Sequence, residues 1–378
     1  MKRRILYIGH DASRTGAPMV LLHYLQWLRS RDPAAEIDLL LLTDGPLTDA
    51  YRSVANVFVL NPRRSFPGRV IGRLRRMILP QAAFKPPNSL KFTNRYGTVV
   101  GNTILTLEAL EHFKKQGTRT ICWVHEMPYV IKVFYETDRF VELIDKVDRL
   151  IVGSNAVAKA LIGFGMEKPT DVVYEFLPSN KTKAASGIMR ADFGIPGDAF
   201  LVLGCGHFGW RKGIDIFLKV ADNLVNKYPD IYFVWIGGKG RGRNEYHEQV
   251  MAEHERLASK EKIIFTGELA DIDKLFAETD VFTLTSREDP FPLVCLLAAD
   301  KKKPVICFEG AGGMPEFVGS DAGSVVPFED ADAFATTIEE FYLDREKLGQ
   351  AGKAAKAKLL GEFSMERSCA KINEILNA

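Results

Sequence analysis

Residues Phe200 to Gly213 have the sequence Phe-Leu-Val-Leu-Gly-Cys-Gly-His-Phe-Gly-Trp-Arg-Lys-Gly. The apolar run predicts a buried strand, which ends in glycines and the pair Arg211-Lys212 before a helix begins near Gly213. Glycine amides and the amino end of a helix can approach an anion closely, and Arg and Lys add charge-assisted hydrogen bonds. We therefore predict a diphosphate site at the start of an α/β domain.

The whole chain has 378 residues, which is more than one core usually serves, so two domains are expected. Charged residues interrupt every apolar run, and no membrane-spanning helix is predicted. Met1 to Arg4 is basic, but the apolar run Ile5 to Ile8 is too short for a signal peptide, which favours the first strand of a cytoplasmic protein. The net charge of +2 indicates no partner.

The cysteines are odd in number, scattered, and mostly set in apolar patterns. This distribution predicts buried thiols and argues against a disulfide framework or a metal cluster. They are Cys122, Cys205, Cys295, Cys307 and Cys369.

The first half of the chain alternates apolar strands with helical patterns, which is typical of a parallel sheet covered on both faces. The predicted strands are Ile5–Gly9, Glu36–Leu42, Val54–Leu60, Thr98–Val100, Arg119–Val124, Arg149–Val152 and Val172–Tyr174. A predicted helix over Met19–Leu28 follows a loop that contains Gly16, Ala17 and Pro18.

Ligands of open α/β sheets collect at the carboxyl ends of the strands. Four residues at or just after the ends of predicted strands are therefore candidates for one binding edge: Gly9, Asn102, His125 and Ser154. His125 has two interpretations. It either makes a structural hydrogen bond at a strand end or positions a substrate hydroxyl or phosphate.

Residues 63–95 contain many Arg and Lys and no Asp or Glu. Within this segment, residues 70–79 place apolar side chains at helical spacing against Arg69, Arg73 and Arg76. A basic amphipathic helix suits an anionic membrane surface or a phosphate-bearing acceptor, and the alternative is a solvated insertion that packs on the first domain. No nucleic-acid-binding motif is present, so nucleic acid is not expected as a partner.

A polar segment separates the two halves. We predict an N-terminal domain over 1–180, a linker over 181–198 and a C-terminal domain over 199–361, with an amphipathic helix in 362–378 that returns to the first domain. The predicted strands of the second domain are Phe200–Gly204, Ile231–Ile236, Lys262–Thr266, Val281–Leu284, Val305–Phe308 and Ser324–Val326, and its helices include Ile214–Lys227 and Tyr246–Leu257. This pattern indicates two Rossmann-like domains.

Gly204, Gly206 and Gly209 form a GxGxxG pattern, which also occurs in dinucleotide-binding enzymes. Such a site needs an acidic residue after the next strand to bind the ribose, and Gly237-Gly238 occupies that place here. The helix also begins late, after Arg211 and Lys212. Both departures argue against a dehydrogenase.

A second group of motifs lies between Thr285 and Glu316. The segment begins Thr-Ser-Arg-Glu-Asp-Pro-Phe-Pro-Leu-Val, continues with Lys303-Pro-Val-Ile and ends in Gly312-Gly-Met-Pro-Glu. Together with Gly16-Ala17, His125, Gly206, Arg211-Lys212-Gly213 and Phe265-Thr266-Gly267, it resembles the retaining GT4 family of GT-B glycosyltransferases.

The resemblance implies an α/β GT-B fold, with two facing Rossmann-like domains, parallel sheets and an interdomain cleft. It implies transfer of a sugar, with retention of configuration, from a nucleoside-diphosphate sugar to a glycan, lipid-linked or small-molecule acceptor. No catalytic metal and no cofactor are expected. A role in polysaccharide biosynthesis follows, in the cytoplasm or at the inner face of the plasma membrane, where residues 63–95 could contact anionic lipid.

The resemblance also implies residue roles. The expected catalytic residues are Arg211 and Lys212, which stabilise the leaving diphosphate, His125 near the donor sugar, and the carboxylate Asp289. The expected donor-binding residues are Gly16, Ala17, Gly206, Thr266, Gly267, Glu268, Glu288, Phe291, Pro292, Leu293, Gly312 and Gly313. Asn102, Arg73, Arg75 and Arg76 are candidates for acceptor or membrane contacts.

The chain departs from the family pattern at one carboxylate. The family has two glutamates eight positions apart; Asp289 occupies the first position, with Glu288 as an alternative, and Leu297 occupies the second. A leucine cannot accept a hydrogen bond from the nucleotide ribose, which predicts weakened donor binding. Asp300 lies three residues further on, and whether it compensates is open.

Two Asp-x-Asp triplets, Asp271 to Asp273 and Asp330 to Asp332, resemble the metal sites of another transferase class. Each precedes a helical pattern, so N-caps with acidic first turns are the favoured interpretation over metal binding.

Overall fold

The structure, a computed structural model, describes residues 4–61, 96–178, 187–240 and 242–378. The chain forms two compact units, one from Met1–Tyr174 with Ser368–Ala378 and the other from Glu175–Arg367. Each unit contains one parallel sheet with helices, and the prediction of two Rossmann-like α/β domains is confirmed. None of the helices in the described part of the chain is long and apolar enough to cross a bilayer.

The first unit contains a seven-stranded sheet in the order β3-β2-β1-β4-β5-β6-β7, and every pairing is parallel. Its strands are β1 (Arg4–Gly9), β2 (Asp38–Thr43), β3 (Asn56–Asn61), β4 (Tyr96–Asn102), β5 (Arg119–Val124), β6 (Arg149–Val152) and β7 (Thr170–Val172). Its α-helices are α1 (Gly16–Arg31), α2 (Thr48–Arg52), α3 (Leu107–Lys114), α4 (Pro128–Phe134), α5 (Thr137–Asp145) and α6 (Asn155–Gly163).

The second unit contains a six-stranded sheet in the order β10-β9-β8-β11-β12-β13, again with parallel pairings. Its strands are β8 (Phe200–Cys205), β9 (Ile231–Ile236), β10 (Ile263–Gly267), β11 (Val281–Leu284), β12 (Val305–Phe308) and β13 (Gly323–Val326). Its α-helices are α7 (Ile214–Lys227), α8 (Glu245–His254), α9 (Asp273–Glu278), α10 (Leu293–Asp300), α11 (Met314–Val318), α12 (Ala331–Leu343) and α13 (Arg345–Leu360).

The central strands are buried on both faces because helices cover each sheet. Residues Phe200 to Leu203 of β8 have no solvent exposure, which explains their uninterrupted apolar sequence. Helix α7 buries the stripe Ile214, Phe217, Ala221 and Leu224 against this sheet, at the spacing of one helical face. In both sheets the strand order reverses beside the first strand of the unit, where α/β folds bind ligands.

The C-terminal helix α14 (Met365–Asn377) packs its apolar face in the first unit, to which Ser368–Ala378 belong. Cys369, Ile372, Ile375 and Leu376 are buried. The guanidinium of Arg119 donates to the carbonyl oxygens of Ile375 at 3.2 Å and Leu376 at 3.4 Å. These donors satisfy carbonyls that the end of a helix leaves unpaired, so the last helix is held by both packing and hydrogen bonds.

Ile372→Val should lower the free energy of unfolding of the first unit by about 0.5–1.5 kcal/mol. The Ile372 side chain is only 1% exposed, so the lost methylene group leaves a space in the core. The matched control is Ile162→Val on α6, where the side chain is 66% exposed. The control should change stability by less than about 0.5 kcal/mol. Urea unfolding of both variants measures the difference, and equal effects would contradict the packing of α14.

Candidate functional site

The two candidate cations and the candidate carboxylate come together at the carboxyl ends of β8 and β11. Lys212 and Asp289 are 7% and 5% exposed, and the Lys212 ammonium donates to Oδ2 of Asp289. Ser286 donates to the same oxygen at 3.2 Å, and Nη1 of Arg211 lies 3.6 Å from it. Asp289 therefore holds Lys212 in place, and its Oδ2 is already shared by several donors.

The charge of the buried Asp289 is stabilised by its neighbours. Burial alone would raise the pKa of this carboxyl, but the charges of Lys212 and Arg211, with hydrogen bonds from Lys212 and Ser286, outweigh that effect and hold the pKa below its ordinary value. An ionised Asp289 beside Lys212 gives a buried ion pair, which is costly to break because either partner would be left unpaired.

A short 3₁₀ turn, Trp210–Lys212, presents the cations. Gly213 ends this turn with φ of 63°, a left-handed conformation in which glycine is favoured. A Cβ at Gly213 would lie 1.9 Å from the carbonyl oxygen of Thr285, whose hydroxyl donates to the carbonyl of Lys212 at 3.2 Å. The turn is thus fastened to the end of β11.

Arg211 lies at the surface of this cluster, with 20% of its side chain exposed. Its Nη1 donates to the carbonyl oxygen of Glu288 at 2.9 Å. In this bond Arg211 contacts the backbone of Glu288 and not its carboxylate. Of the two cations, Arg211 is the more accessible to a ligand.

The glycines of the GxGxxG pattern serve packing as well as loop geometry. Gly204 lies inside β8, where a Cβ would come 2.5 Å from the Trp235 ring. A Cβ at Gly206 would lie 3.0 Å from Cδ of Lys212, and the Gly206 amide already donates to the carbonyl of Ile236 at 2.9 Å. The sequence predicted that this amide approaches an anion; in the structure it bonds to the protein, and the missing Cβ leaves room for Lys212.

The first turn of α7 also differs from the open anion site expected from sequence. The hydroxyl of Tyr246 accepts from the amide of Asp215 at 3.1 Å, and the Asp215 carboxylate lies in the same turn. This carboxylate satisfies the positive end of the helix dipole. Arg211 and Lys212 are therefore the cationic side chains that remain at this strand end for the predicted anion site.

The loop that contains Gly312 and Gly313 packs directly on Asp289. The amide of Asp289 donates to the carbonyl of Ala311 at 2.7 Å, and the amide of Gly313 donates to the carbonyl of Pro290 at 2.9 Å. A Cβ at Gly312 would lie 1.7 Å from the Asp289 carbonyl oxygen, so only glycine permits this approach. The loop expected near the sugar and phosphates is thus adjacent to the ion pair.

Phe291, Pro292 and Leu293 form the entry to α10, with Pro292 at its N-cap. The Phe291 ring stacks on Phe363 with centroids 5.8 Å apart and is 1% exposed, so this side chain is part of the core. Leu297 lies on the same helix and is 5% exposed. Asp300 lies at the end of this helix, and its carboxylate pairs with Lys356. The Lys301 ammonium lies 3.4 Å from Oδ2 of the same carboxylate.

Thr266, Gly267 and Glu268 lie at the carboxyl end of β10, two strands away from β8. The carbonyl of Gly267 accepts from the Thr266 hydroxyl at 3.0 Å and from the Gly237 amide at 2.9 Å. The Glu268 side chain covers Gly238, because a Cβ there would lie 2.8 Å from its Cγ. These residues border the same edge of the second sheet as Lys212.

In the first unit, three predicted residues meet at the carboxyl ends of β4 and β5 and at the start of α1. A ring nitrogen of His125, Nε2, lies 2.8 Å from Oδ1 of Asn102, and Nδ2 of Asn102 donates to the carbonyl of Ala17 at 3.0 Å. His125 and Asn102 are buried, and Gly16 is exposed as the first residue of α1. Ser154 caps α6 by accepting from the Val157 amide at 3.3 Å.

Glu126 orders the same strand ends. Its Oε2 accepts from the backbone amides of His125 at 2.9 Å and Ile104 at 3.3 Å. Between these strands, Thr103 has φ of 87°, which is rare for a residue other than glycine. The backbone around His125 is therefore fixed by a buried carboxylate.

His10 follows β1 and lies close to this cluster. Burial lowers its pKa, the charge of His125 lowers it further, and Asp11, whose Oδ1 is 3.3 Å from Nε2 of His10, acts in the opposite direction. Its Nδ1 is buried without a hydrogen-bond partner among the described residues. No sequence pattern marked His10 as a site residue.

The pH dependence of stability should reflect this lowered pKa. The unfolded chain binds a proton at His10 more tightly than the folded chain, so the contribution of His10 to stability is present above about pH 6.5 and is lost as the pH falls toward the folded pKa. His10→Asn should therefore reduce the loss of stability on acidification. Urea unfolding at about pH 7 and about pH 5 compares the variant with the parent, and parallel losses would contradict burial of a neutral His10.

The Asp-x-Asp triplets take structural positions. Asp330 caps α12 by accepting from the amides of Asp332 at 3.1 Å and Ala333 at 2.9 Å, as predicted. Asp271 accepts from the Asp273 amide at 3.2 Å, and Asp273 pairs with Lys301. Among the described residues, no group of three or more His, Cys, Asp or Glu side chains is arranged to hold a metal ion.

The predictions for the cysteines, the basic segment, the linker and the last strand of the first unit remain. All five cysteines are free thiols, four of them buried, and burial raises the pKa of Cys205 to about 12, which keeps that thiol protonated. The basic segment 63–95, with Arg73, Arg75 and Arg76, lies outside the described residues, as do residues 181–186 of the predicted linker. Strand β7 ends at Val172, where the sequence predicted a strand beginning at that residue.

Sequence reasoning missed the residues that support the ion pair. Ser286 belongs to the motif that carried the family resemblance, but its bond to Asp289 depends on the loop conformation. Tyr246 contacts Asp215 across 31 positions, and Lys212 contacts Asp289 across 77. No local pattern indicates such pairs.

Most of the second unit matches a known protein family. Residues 186–358 match the family model described as Glycosyl transferases group 1. These residues make up most of the second unit, which therefore resembles a group 1 glycosyl transferase domain. The resemblance to a GT4-like glycosyltransferase is thereby confirmed, and the ion pair of Lys212 and Asp289 lies inside the matched residues.

Several curated relatives are named as glycosyltransferases or glycolipid synthases. The lipopolysaccharide core biosynthesis glycosyltransferase LpsE of Rhizobium meliloti is 25% identical over 219 residues, which cover 58% of this chain and 61% of LpsE. The alpha-galactosylglucosyldiacylglycerol synthase of Streptococcus pneumoniae is 26% identical over 217 residues, 51% of this chain and 54% of the synthase. The chain thus spans between half and about three fifths of the length of these relatives.

Solved structures share the fold over the whole chain. HepE from Anabaena, in complex with UDP-glucose, superposes with a TM-score of 0.79 at 20% identity and covers 99% of both chains. Sucrose-phosphate synthase from Thermosynechococcus elongatus gives a TM-score of 0.74 at 16% identity, covering 99% of this chain and 98% of that one. These likenesses confirm the GT-B fold class.

Proposed function

We propose that the protein is a retaining glycosyltransferase that moves a sugar from a nucleoside-diphosphate sugar to a hydroxyl acceptor without a catalytic metal. The observation that carries this proposal is the pair Arg211 and Lys212, presented by one turn at the strand ends of a group 1 domain, with Lys212 held by Asp289. The second unit binds the donor in this proposal.

The reaction breaks the bond between the anomeric carbon and the donor phosphate oxygen and forms a bond from that carbon to the acceptor oxygen. Negative charge develops on the departing diphosphate, and the acceptor hydroxyl loses its proton to that phosphate or to solvent. Arg211 and Lys212 stabilise this charge, a contribution that preorganised cations supply without rearrangement. Asp289 positions Lys212, because its carboxylate is occupied by the ammonium and by Ser286.

The other predicted roles enter as parts of the same proposal. Thr266, Gly267 and Glu268 contact the nucleoside, and the loop of Gly312 and Gly313 borders the sugar and phosphates. In the first unit, His125 and Asn102 supply hydrogen bonds to sugar hydroxyls, and the acceptor binds this unit. The names of the relatives, which include enzymes of lipopolysaccharide core and glycolipid synthesis, support a glycan or lipid-linked acceptor.

Leu297 favours a second candidate function, a nucleotide-sugar-binding protein without transferase activity. The residue is apolar and nearly buried where the family has a carboxylate, so a hydrogen bond to the donor is lost. A charged acceptor of this kind contributes about 1.5–3 kcal/mol to binding.

A panel of UDP-, GDP- and ADP-sugars distinguishes the two functions. Thermal shift reports binding of each nucleotide sugar, and release of the nucleoside diphosphate with glycan and lipid-linked acceptors reports turnover. The transferase proposal expects one donor base to stabilise the protein and to turn over, with unchanged rates in EDTA. Binding of a donor with no turnover on any acceptor supports the second function, and failure of every donor to bind contradicts both.

A further inference from the structure

Arg287 is a partly buried arginine in the loop after β11, with 10% of its side chain exposed. Its Nη1 donates to the Trp210 carbonyl and to Oδ1 of Asp215, both at 2.9 Å, and its Nη2 donates to Oδ2 of Asp215 at 2.7 Å. Its Nε donates to the carboxylate of Glu329. These bonds use four of the five N–H donors of a guanidinium.

The partners of Arg287 come from three different segments that surround the cation-bearing turn. Trp210 begins the turn, Asp215 lies in the first turn of α7, and Glu329 precedes α12 with φ of 58°, a conformation uncommon outside glycine. The Arg287 backbone amide also donates to the Arg211 carbonyl at 2.7 Å. One residue therefore binds the carbonyl groups of two consecutive residues of the turn.

Packing and charge reinforce this arrangement. The Arg287 guanidinium lies 5.0 Å from the centroid of the Trp210 ring, and the Tyr246 hydroxyl donates to Asp215 at 2.5 Å. Hydrogen bonding to Asp215, followed by that to Glu329, raises the pKa of Arg287 despite its burial. The carboxylates of Asp215 and Glu329 offset the single charge of Arg287. Arg287 therefore acts by fixing the positions of its neighbours and adds little positive potential to the site.

We propose that Arg287 is a positioning residue that orders the Trp210–Lys212 turn, so that Arg211 and Lys212 are preorganised for the leaving diphosphate. The catalytic part of this proposal rests on the proposed transferase function. The ordering of the turn does not depend on it. A lysine could replace the charge but not the planar fork that binds Asp215 and the Trp210 carbonyl together.

The test compares Arg287→Lys with the matched control Arg345→Lys. Arg345 also pairs with a carboxylate, Asp280 at 3.3 Å, and lies 4.4 Å from an aromatic centroid, Phe200, but at the opposite end of β8. Arg287→Lys should lower kcat about tenfold, with a smaller change in the KM for the donor, because misplaced cations lose transition-state stabilisation. Hydrogen exchange should accelerate in the peptide covering residues 206–216 of the unliganded protein. The control should show neither change.

Two outcomes would overturn the proposal: Arg287→Lys with wild-type exchange and kcat, or the same changes in Arg345→Lys. If the parent protein transfers no sugar, the proposed function fails, and hydrogen exchange still decides whether Arg287 orders the turn. If Arg287→Lys does not fold, Glu329→Gln takes its place, because it weakens one contact of Arg287 and keeps the pair with Asp215. Glu329→Gln should then accelerate exchange in the peptide covering residues 206–216, by less than is expected for Arg287→Lys. No increase would contradict the proposal.

Discussion

The Lys212→Met variant is expected to lose about a hundred- to a thousandfold in kcat for sugar transfer, the cost typical of removing one preorganised group that stabilises developing negative charge. Methionine keeps the length of the side chain that packs against Gly206 and removes the ammonium. It also leaves Asp289 buried without its cation, which should cost about 3–5 kcal/mol in stability. Donor turnover and urea unfolding measure the two losses separately.

The double variant Lys212→Met with Asp289→Asn separates catalysis from folding. It removes the unpaired buried charge, so most of the lost stability should return. The transfer rate should stay low, because no ammonium faces the diphosphate. Recovery of activity together with stability would show that Lys212 matters only as the partner of Asp289 and would contradict its catalytic role.

Leu297→Glu is expected to tighten donor binding by about ten- to a hundredfold, because a carboxylate on α10 can accept hydrogen bonds from the ribose that leucine cannot. Leu297 is 5% exposed, so the charged side chain should also lower the stability of the unliganded protein. Isothermal titration with the preferred nucleoside diphosphate, at a temperature where the variant is folded, measures the affinity.

Leu297→Met is the control for this position, since it conserves volume and adds no strong acceptor. Its affinity should equal that of the parent. An unchanged or weaker affinity in folded Leu297→Glu would mean that the ribose is not bound at this position. The departure from the family pattern would then have no bearing on donor affinity.

The elements of the second unit follow closely from its sequence. The predicted bounds of Ile214–Lys227, Ile231–Ile236, Val281–Leu284 and Val305–Phe308 are those observed. Strands buried on both faces have uninterrupted apolar sequences, and a glycine-rich loop ends β8 sharply. The edge strand β7 lacks such a run, and its predicted position is shifted by two residues.

The candidate site was only partly predictable. Position after a strand identified Lys212 and His125, because ligands collect at the carboxyl ends of parallel strands, and the family resemblance added Asp289. The pairing of Lys212 with Asp289 and the contacts of Arg287 join loops that are distant in sequence, and they depend on side-chain conformations that no periodicity encodes. The occupied amide of Gly206 is likewise a property of the folded loop.

The stereochemistry of donor cleavage tests the central claim most directly. Proton NMR can follow the anomer of the sugar first released from the preferred nucleotide sugar, with water as acceptor and EDTA present. Retaining, metal-independent transfer predicts that the sugar appears with the anomeric configuration it had in the donor, and that Lys212→Met abolishes its early release. First release of the opposite anomer, or loss of turnover in EDTA, would contradict the account.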